Sequence, residues 1–189
     1  MRTLSIGLIG AITLGVTAHP LGAQSSMNQG FWYGAGLGVG FAKTACTICI
    51  GDRHSSYSAY FRLGTTVKPN FLLGAEANGW MKDDAGIDRA MGSLSAIGLW
   101  YPNHGSLFLK GGLGVISDRI DDDADALTSR ALAVQLGVGY EFRIGRNASL
   151  VPFMTAIGST SGSRNFNGNQ IAGDATLSFL QIGLGMTWH

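Results

Sequence analysis

The stretch FWYGAGLGVGFAK at 31–43 restricts the possible folds more than any other part of the chain. Gly34, Gly36, Gly38 and Gly40 take every second position, with Phe31, Tyr33, Ala35, Leu37, Val39 and Phe41 between them. On an extended strand this two-residue period puts the glycines on one face and the apolar residues on the other. Glycine weakens a strand interior, because it costs backbone entropy and packs no side chain. Four glycines on one face therefore imply a face where space is short.

The period recurs along the chain. Over 57–67, Ala59, Phe61 and Leu63 oppose Ser58, Tyr60, Arg62 and Gly64. Over 71–82, Phe71, Leu73, Ala75, Ala77 and Met81 oppose Gly74, Glu76 and Asn78. Over 107–115, Leu107, Leu109, Leu113 and Val115 oppose Lys110, Gly112 and Gly114. Over 131–142, Leu132, Val134, Leu136, Val138, Tyr140 and Phe142 oppose Ala133, Gln135, Gly137, Gly139 and Glu141. Over 176–189, Leu180, Ile182, Leu184, Met186 and Trp188 oppose Gln181, Gly183, Gly185 and Thr187. Two further segments read as strands with less defined faces. In 91–102, Ser93 and Ser95 suggest one register and Ile97, Leu99 and Tyr101 the other, which leaves room for a bulge. In 149–158, Pro152 removes a ladder donor. The sum is eight strands. Their connections alternate strictly between short (68–70, 102–106, 143–148) and long (44–56, 83–90, 117–130, 159–175). An up-and-down sheet would then carry every long loop at one end, as transmembrane barrels do.

Composition narrows the class. Glycine numbers 29 of 189 residues, and charged residues make up 13% against the usual ~25%. A net charge of +1 without a basic stripe argues against a nucleic-acid partner. Residues 1–23 have the form of an export signal: Arg2, an apolar Leu4–Val16 run, and a cleavage position after Ala23 or Ala18. After residue 23 no apolar run approaches the ~18 residues a spanning helix needs. The expected organisation is a signal peptide over 1–23 and one barrel domain over 24–189.

Eight strands can close into a barrel whose interior is just wide enough for side chains. A soluble barrel, such as a lipocalin-like ligand carrier, turns its apolar face inward; a membrane barrel turns it outward. Large aliphatics from six strands would overfill the interior, whereas Gly, Ala, Ser and Gln fit it. The expected fold is therefore an all-β, eight-stranded, antiparallel up-and-down transmembrane barrel. Arg62, Glu76, Lys110 and Glu141 fall on the small polar face, two of each sign, and are expected to form a packed lumen charge network rather than an open pore. A charge turned to lipid near the midplane would cost roughly 2–4 kcal/mol for Arg or Lys. Phe31, Tyr33, Phe71, Tyr101, Tyr140, Phe142 and Trp188 gather at the short-turn end, with Phe41, Tyr57 and Trp80 near the other, as in aromatic girdles. By alternation Trp80 faces inward.

Cys46 and Cys49 form a C-x-x-C pair. In an exported protein a local disulfide is the expected state. Free thiols, or metal or redox chemistry, are the alternatives, and His54 alone would leave zinc short of ligands.

The export signal, the GLGVG and GGLGV strands, FLLGAEANGW and the terminal LQIGLGMTWH together resemble the small eight-stranded outer-membrane barrels of the OmpA/OmpX type. The resemblance covers 24–189 and implies a bacterial outer-membrane location in a Gram-negative envelope. It also implies a last strand whose alternating Leu184, Met186 and Trp188 serve as the signal read by the outer-membrane assembly machinery, although His189 follows the terminal aromatic. Expected partners are outer-membrane lipid and lipopolysaccharide. A monomer is expected, with no cofactor and no metal.

The resemblance fixes architecture, not activity. His54 and Ser56 in RHSSY match the His-x-Ser pair of lipid A deacylase barrels, but no glutamate accompanies them in 44–56 or the next strand. A lipid-modifying enzyme is thus the second reading and a non-enzymatic barrel the first. Asp118, Asp121, Asp122, Asp123 and Asp125 could offer oxygen ligands to calcium, without an EF-hand spacing. Arg164 and Phe166 in SGSRNFNGNQ are candidate contact residues of a polar loop.

Overall fold

The computed structural model describes residues 30–46, 49–50, 53–84, 87–122, 125–159, 162–166 and 169–189. The signal over 1–23 and its cleavage position lie outside them. Among the described residues the strands are β1 (Phe31–Cys46), β2 (Cys49–Ile50), β3 (His54–Lys68), β4 (Phe71–Asp84), β5 (Ile87–Trp100), β6 (Leu107–Asp122), β7 (Asp125–Tyr140), β8 (Phe142–Arg143), β9 (Ala148–Ser159), β10 (Gly162–Phe166) and β11 (Asn169–Trp188). Eight of them, β1, β3, β4, β5, β6, β7, β9 and β11, form the wall, each antiparallel to its neighbour. β11 pairs back onto β1 from Tyr33↔Trp188 to Ala45↔Thr176, so the sheet closes.

The register fixes the barrel's width. Stepping from Tyr33 through Leu63, Ala75, Ala96, Leu113, Val134, Gly158 and Ser178 returns to β1 at Lys43, ten residues further on. With strands about 4.8 Å apart and about 3.3 Å per residue, that stagger over eight strands means a tilt of about 40° and a radius near ~8 Å. The interior has room for side chains and little else.

The exterior is apolar. Leu37 is 72% exposed, Leu136 63% and Ile182 47%, while Gln135 and Gln181 are fully buried inside the wall. On β6 the outward row Leu107, Leu109, Leu113 and Val115 spans about 20 Å along the barrel axis, close to the ~25 Å apolar band of such barrels. The orientation expected from the sequence holds, and a soluble carrier with an apolar interior does not fit it.

The interior is not a lining of small residues. Trp32, Tyr60, Trp80, Tyr101, Phe108, Phe153 and Phe179 are all buried within it. The glycines face these rings. A Cβ on Gly36 or Gly185 would meet the Tyr60 ring, one on Gly64 or Gly74 Trp32, one on Gly40 Trp80 and Phe179, and one on Gly139 Phe108. Each glycine makes the room that a neighbour's aromatic ring occupies. At the closing seam the limit is backbone: a Cβ on Gly38 would strike the Ile182 carbonyl and the Gly183 Cα.

Several expectations need correction. β5 has no bulge; its pairing to β4 and β6 is continuous. Ser93, Ser95, Ile97, Leu99 and Tyr101 share one parity and all point inward. Tyr101 is therefore a lumen residue at 1% exposure, and Trp100, at 47%, takes the girdle position beside Phe71. The outer girdle at the short-turn end includes Phe31, Tyr33, Tyr140, Phe142 and Trp188, with Tyr33 stacked on Trp188 at 5.2 Å. Trp80 faces inward as alternation predicts.

The long connections are mostly not loops. β6 and β7 run 16 residues each, beyond the 9–11 that cross a bilayer, and pair out to Asp122↔Asp125. β4 and β5 likewise pair to Asp84↔Ile87. β10 pairs with both β7 and β11, continuing the wall beyond the end of β9. Below, β7 and β8 follow one register against β9, interrupted opposite Pro152, which has no N–H to give; the Glu141 N–H instead donates to the Ser106 carbonyl at 2.9 Å.

Gly38→Leu should therefore block closure, by at least the ~1–3 kcal/mol of an overpacked core. Gly111→Leu should be tolerated, since an added Cβ there meets nothing within 4 Å. Comparing unheated and boiled samples on a gel checks both: the first variant loses the compact band and the second keeps it.

Candidate functional site

The lumen is layered. Around Trp32, Tyr60, Leu72, Leu99, Tyr101, Phe108 and Phe153, one apolar cluster fills the short-turn end. Around Trp80, Met91, Ile116, Leu177 and Phe179, a second fills the end toward the long hairpins. The polar side chains of β3, β4, β6, β7 and β11 lie between them.

Glu76 is the centre of this layer. Lys110 Nζ donates to its Oε1 at 2.6 Å and its Oε2 at 2.8 Å, and both side chains are almost fully buried. Gln135 Nε2 donates to Oε1, as does Asn78 Nδ2 at 3.2 Å. Asn78 also donates to Ser93 Oγ at 3.3 Å. Arg62 lies directly across from Glu76 in the β3–β4 register. Its Nη2 donates to Thr187 Oγ1 at 2.7 Å, and its guanidinium lies 5.0 Å from the Phe108 ring centre, 5.3 Å from Tyr60 and 5.8 Å from Trp32. Electron-rich ring faces thus surround a buried cation.

Of the four charges read from the sequence, the structure brings Glu76 and Lys110 into contact and sets Arg62 beside them. Glu141 stands apart. It follows the end of β7 at the short-turn mouth, not a strand centre, and accepts a 2.8 Å hydrogen bond from the Tyr101 hydroxyl. His189 Nε2 lies 3.5 Å from its Oε2. Burial raises the Glu141 pKa, but His189, Tyr101 and Arg62 outweigh it and hold the carboxyl below its ordinary value. His189, which breaks the usual aromatic ending, is thereby tied into the closing turn.

A second network lies at the other mouth, in stretches that read as loops. Arg89 Nε donates to Asp118 Oδ1 at 3.0 Å and its Nη2 to Oδ2 at 2.9 Å, a two-pronged clamp. Thr44 Oγ1 donates to Asp118 Oδ2 at 2.7 Å and accepts from Arg89 Nη2 at 2.8 Å. Arg89 also covers the Trp80 ring at 5.8 Å, and Trp80 Nε1 donates to the Gly40 carbonyl at 3.0 Å. The inward parity of Met91 and Ile116, continued by two residues, is the signal that would have located Arg89 and Asp118.

Asp118 is thus engaged by a guanidinium, and no cluster of metal-ligating groups occurs among the described residues. The side chains of Asp121, Asp122, Asp123, Asp125, Arg164 and Phe166 lie outside the described part. So do those of Cys46 and Cys49, whose backbones pair across the β1–β2 hairpin. His54 Nδ1 lies 3.4 Å from Lys82 Nζ, a cation rather than the carboxylate that orients a catalytic base. Leu184, Met186 and Trp188 lie on the outward face of β11, opposite Leu37, Ala35 and Tyr33.

Glu76→Leu or Lys110→Met alone should cost about 3–5 kcal/mol, because each leaves the other charge buried and unpaired. The double variant should recover most of that loss, as read from urea unfolding in lipid micelles. Acid should loosen the short-turn end. The stability that Glu141 contributes is present above its unfolded pKa and is lost as pH falls through the lower folded value. Amide protection near the C-terminus, taken relative to the intrinsic exchange rate, should therefore fall with acid in the wild type, and change less in Glu141→Gln.

No family model matches this sequence, and no curated protein does. The fold does have solved counterparts. Neisserial surface protein A aligns with a TM-score of 0.60 at 12% identity, over 85% of this chain and 97% of its own. The outer membrane protein OprG from Pseudomonas aeruginosa aligns with a TM-score of 0.51 at 14% identity, over 87% of this chain and 99% of its own. Such identities carry the fold alone. With its closed eight-strand wall and aliphatic exterior, the chain has the fold of these small outer-membrane β-barrels.

Proposed function

We propose that the protein is a non-enzymatic envelope barrel with a plugged lumen, acting through structural support of the membrane or through contacts made by its long hairpins. The observation that carries this reading is the Glu76–Lys110 pair, closed off on both sides by aromatic clusters. An ion crossing the lumen would have to displace Trp32, Tyr60 and Phe108 at one end and Trp80 and Phe179 at the other. Interiors packed in this way resist such displacement. The Arg89–Asp118–Thr44 clamp adds a polar seal at the outer mouth.

The non-enzymatic part of the reading draws on His54, whose neighbour is Lys82. The outward Leu184, Met186 and Trp188 support a role for the last strand as an assembly signal. Their alternation presents one apolar, aromatic-ended edge before closure.

Reconstituted in a planar bilayer, the folded barrel should give no sustained ion conductance, and replacing Trp80 and Phe179 together by Ala should raise leak without abolishing the folded band. Steady wild-type channels would overturn the plugged reading. A changed lipid A acyl pattern on mutating His54 and Ser56 to Ala would overturn the non-enzymatic one.

A further inference from the structure

The two ends of the barrel differ in charge. Of the twelve Asp and Glu residues, ten fall in 44–56, 83–90, 117–130 and 159–175, the connections at the long-hairpin end. The other two are engaged inside, Glu76 by Lys110 and Glu141 by Tyr101 and His189. Beside the α-carboxylate of His189, the short-turn end presents no other carboxylate among the described residues. Its cations are exposed: Lys68 on the first turn, His104 on the second and Arg146 on the third. Arg143 is engaged within the chain and is not counted with them. Each turn sets an asparagine close beside its base, as K-P-N at 68–70, N-H at 103–104 and R-N at 146–147.

These turns are fixed in place. The Tyr101 N–H donates to the Asn70 carbonyl at 2.9 Å, and the Glu141 N–H to the Ser106 carbonyl at 2.9 Å. The His189 N–H donates to the Asn147 carbonyl at 3.1 Å, so each turn is bonded to the next element around the ring. On a wall of radius near ~8 Å, neighbouring turns lie about 11 Å apart and the first and third about 16 Å. The second turn is strained as well as fixed. Asn103 and His104 both have a φ of 54°, in the left-handed region that glycine enters most easily. The chain keeps a carboxamide and an imidazole there, both exposed.

A cationic side chain binds carboxylate, and a carboxamide can both donate to and accept from an amide. Three such pairs on a rigid ring suit a polymer that carries carboxylates and amides together and touches several turns at once. A phospholipid head offers phosphate and no amide, and it meets the wall from the flank rather than at the turn tips. In an outer-membrane barrel the short turns face the periplasm. We propose that the short-turn end is a docking surface for the peptide-bearing glycan of the cell wall, peptidoglycan. Its peptide carboxylates lie on Lys68, His104 and Arg146, and its amides on Asn70, Asn103 and Asn147. The inference rests on the outer-membrane reading of the barrel and does not depend on whether the lumen conducts.

Co-sedimentation of the folded full-length barrel, in neutral detergent, with purified protein-free peptidoglycan sacculi tests the surface. The wild type should pellet with the sacculi and be released by about 1 M salt, where screening acts within about 3 Å. Lys68→Gln with Arg146→Gln should bind about tenfold more weakly. Asn103→Gly with His104→Gly should also bind more weakly. That pair relieves the left-handed strain, so its compact band on an unboiled gel should persist. Arg130→Gln, at the opposite end, should bind as wild type. Sacculi whose carboxylates have been amidated should not retain the barrel. A folded wild type that stays in the supernatant would overturn the proposal, as would undiminished binding by the Lys68 and Arg146 variant or by amidated sacculi. Loss of binding on adding excess phosphatidylglycerol micelles would assign the cations to lipid and overturn it too. A wild type that dissolves without detergent would instead sink the membrane reading, and the orientation of this surface with it.

Discussion

The narrowness of a closed eight-strand wall governs everything else in this molecule. Once the register returns to β1 ten residues on, the interior volume is set, and the sequence has to fill it without excess. The chain does so by pairing opposites of size. Where Trp32, Tyr60, Trp80, Phe108 and Phe179 enter the lumen, glycines on other strands withdraw. The glycine row is half of a packing code whose other half is aromatic. Both halves are needed: an all-small interior would leave voids, and an all-large one would not close.

That filling also sets what the buried charges can be. Glu76 receives Lys110, Gln135 and Asn78 at once, and Arg62 is held by Thr187 and three rings. Charges withdrawn from water persist only when paired and hydrogen-bonded. The polar layer is therefore packed as specifically as the apolar ones on either side of it. Its arrangement ties β3, β4, β6, β7 and β11 together across the axis, where main-chain hydrogen bonds run only between neighbours.

Much of this was legible in the sequence. Alternation placed Leu37, Leu136 and Ile182 outside and Gln135 and Gln181 inside, because a period of two admits only two answers and the volumes exclude one. It also set Glu76 and Lys110 on the same side of the wall. It did not reveal that they touch, since a repeat fixes which way a side chain points and says nothing about partners across a barrel. Ile97 and Leu99 misled for a related reason. They are large and apolar, so they read as lipid-facing, although they share the parity of Ser93 and Ser95. The clamp of Arg89 on Asp118 was hidden because charged stretches resemble loops even where the strands carry on past the membrane.

Closure of the wall joins positions at opposite ends of the chain, Tyr33 to Trp188 and Leu37 to Leu184. A seam of such high contact order can form only after the whole polypeptide is available, and pairings so remote in sequence form slowly. Until then the nascent sheet has two unsatisfied edges, each an invitation to the wrong neighbour. An escort that shields β1 and β11 through transit would meet a need written into the topology itself.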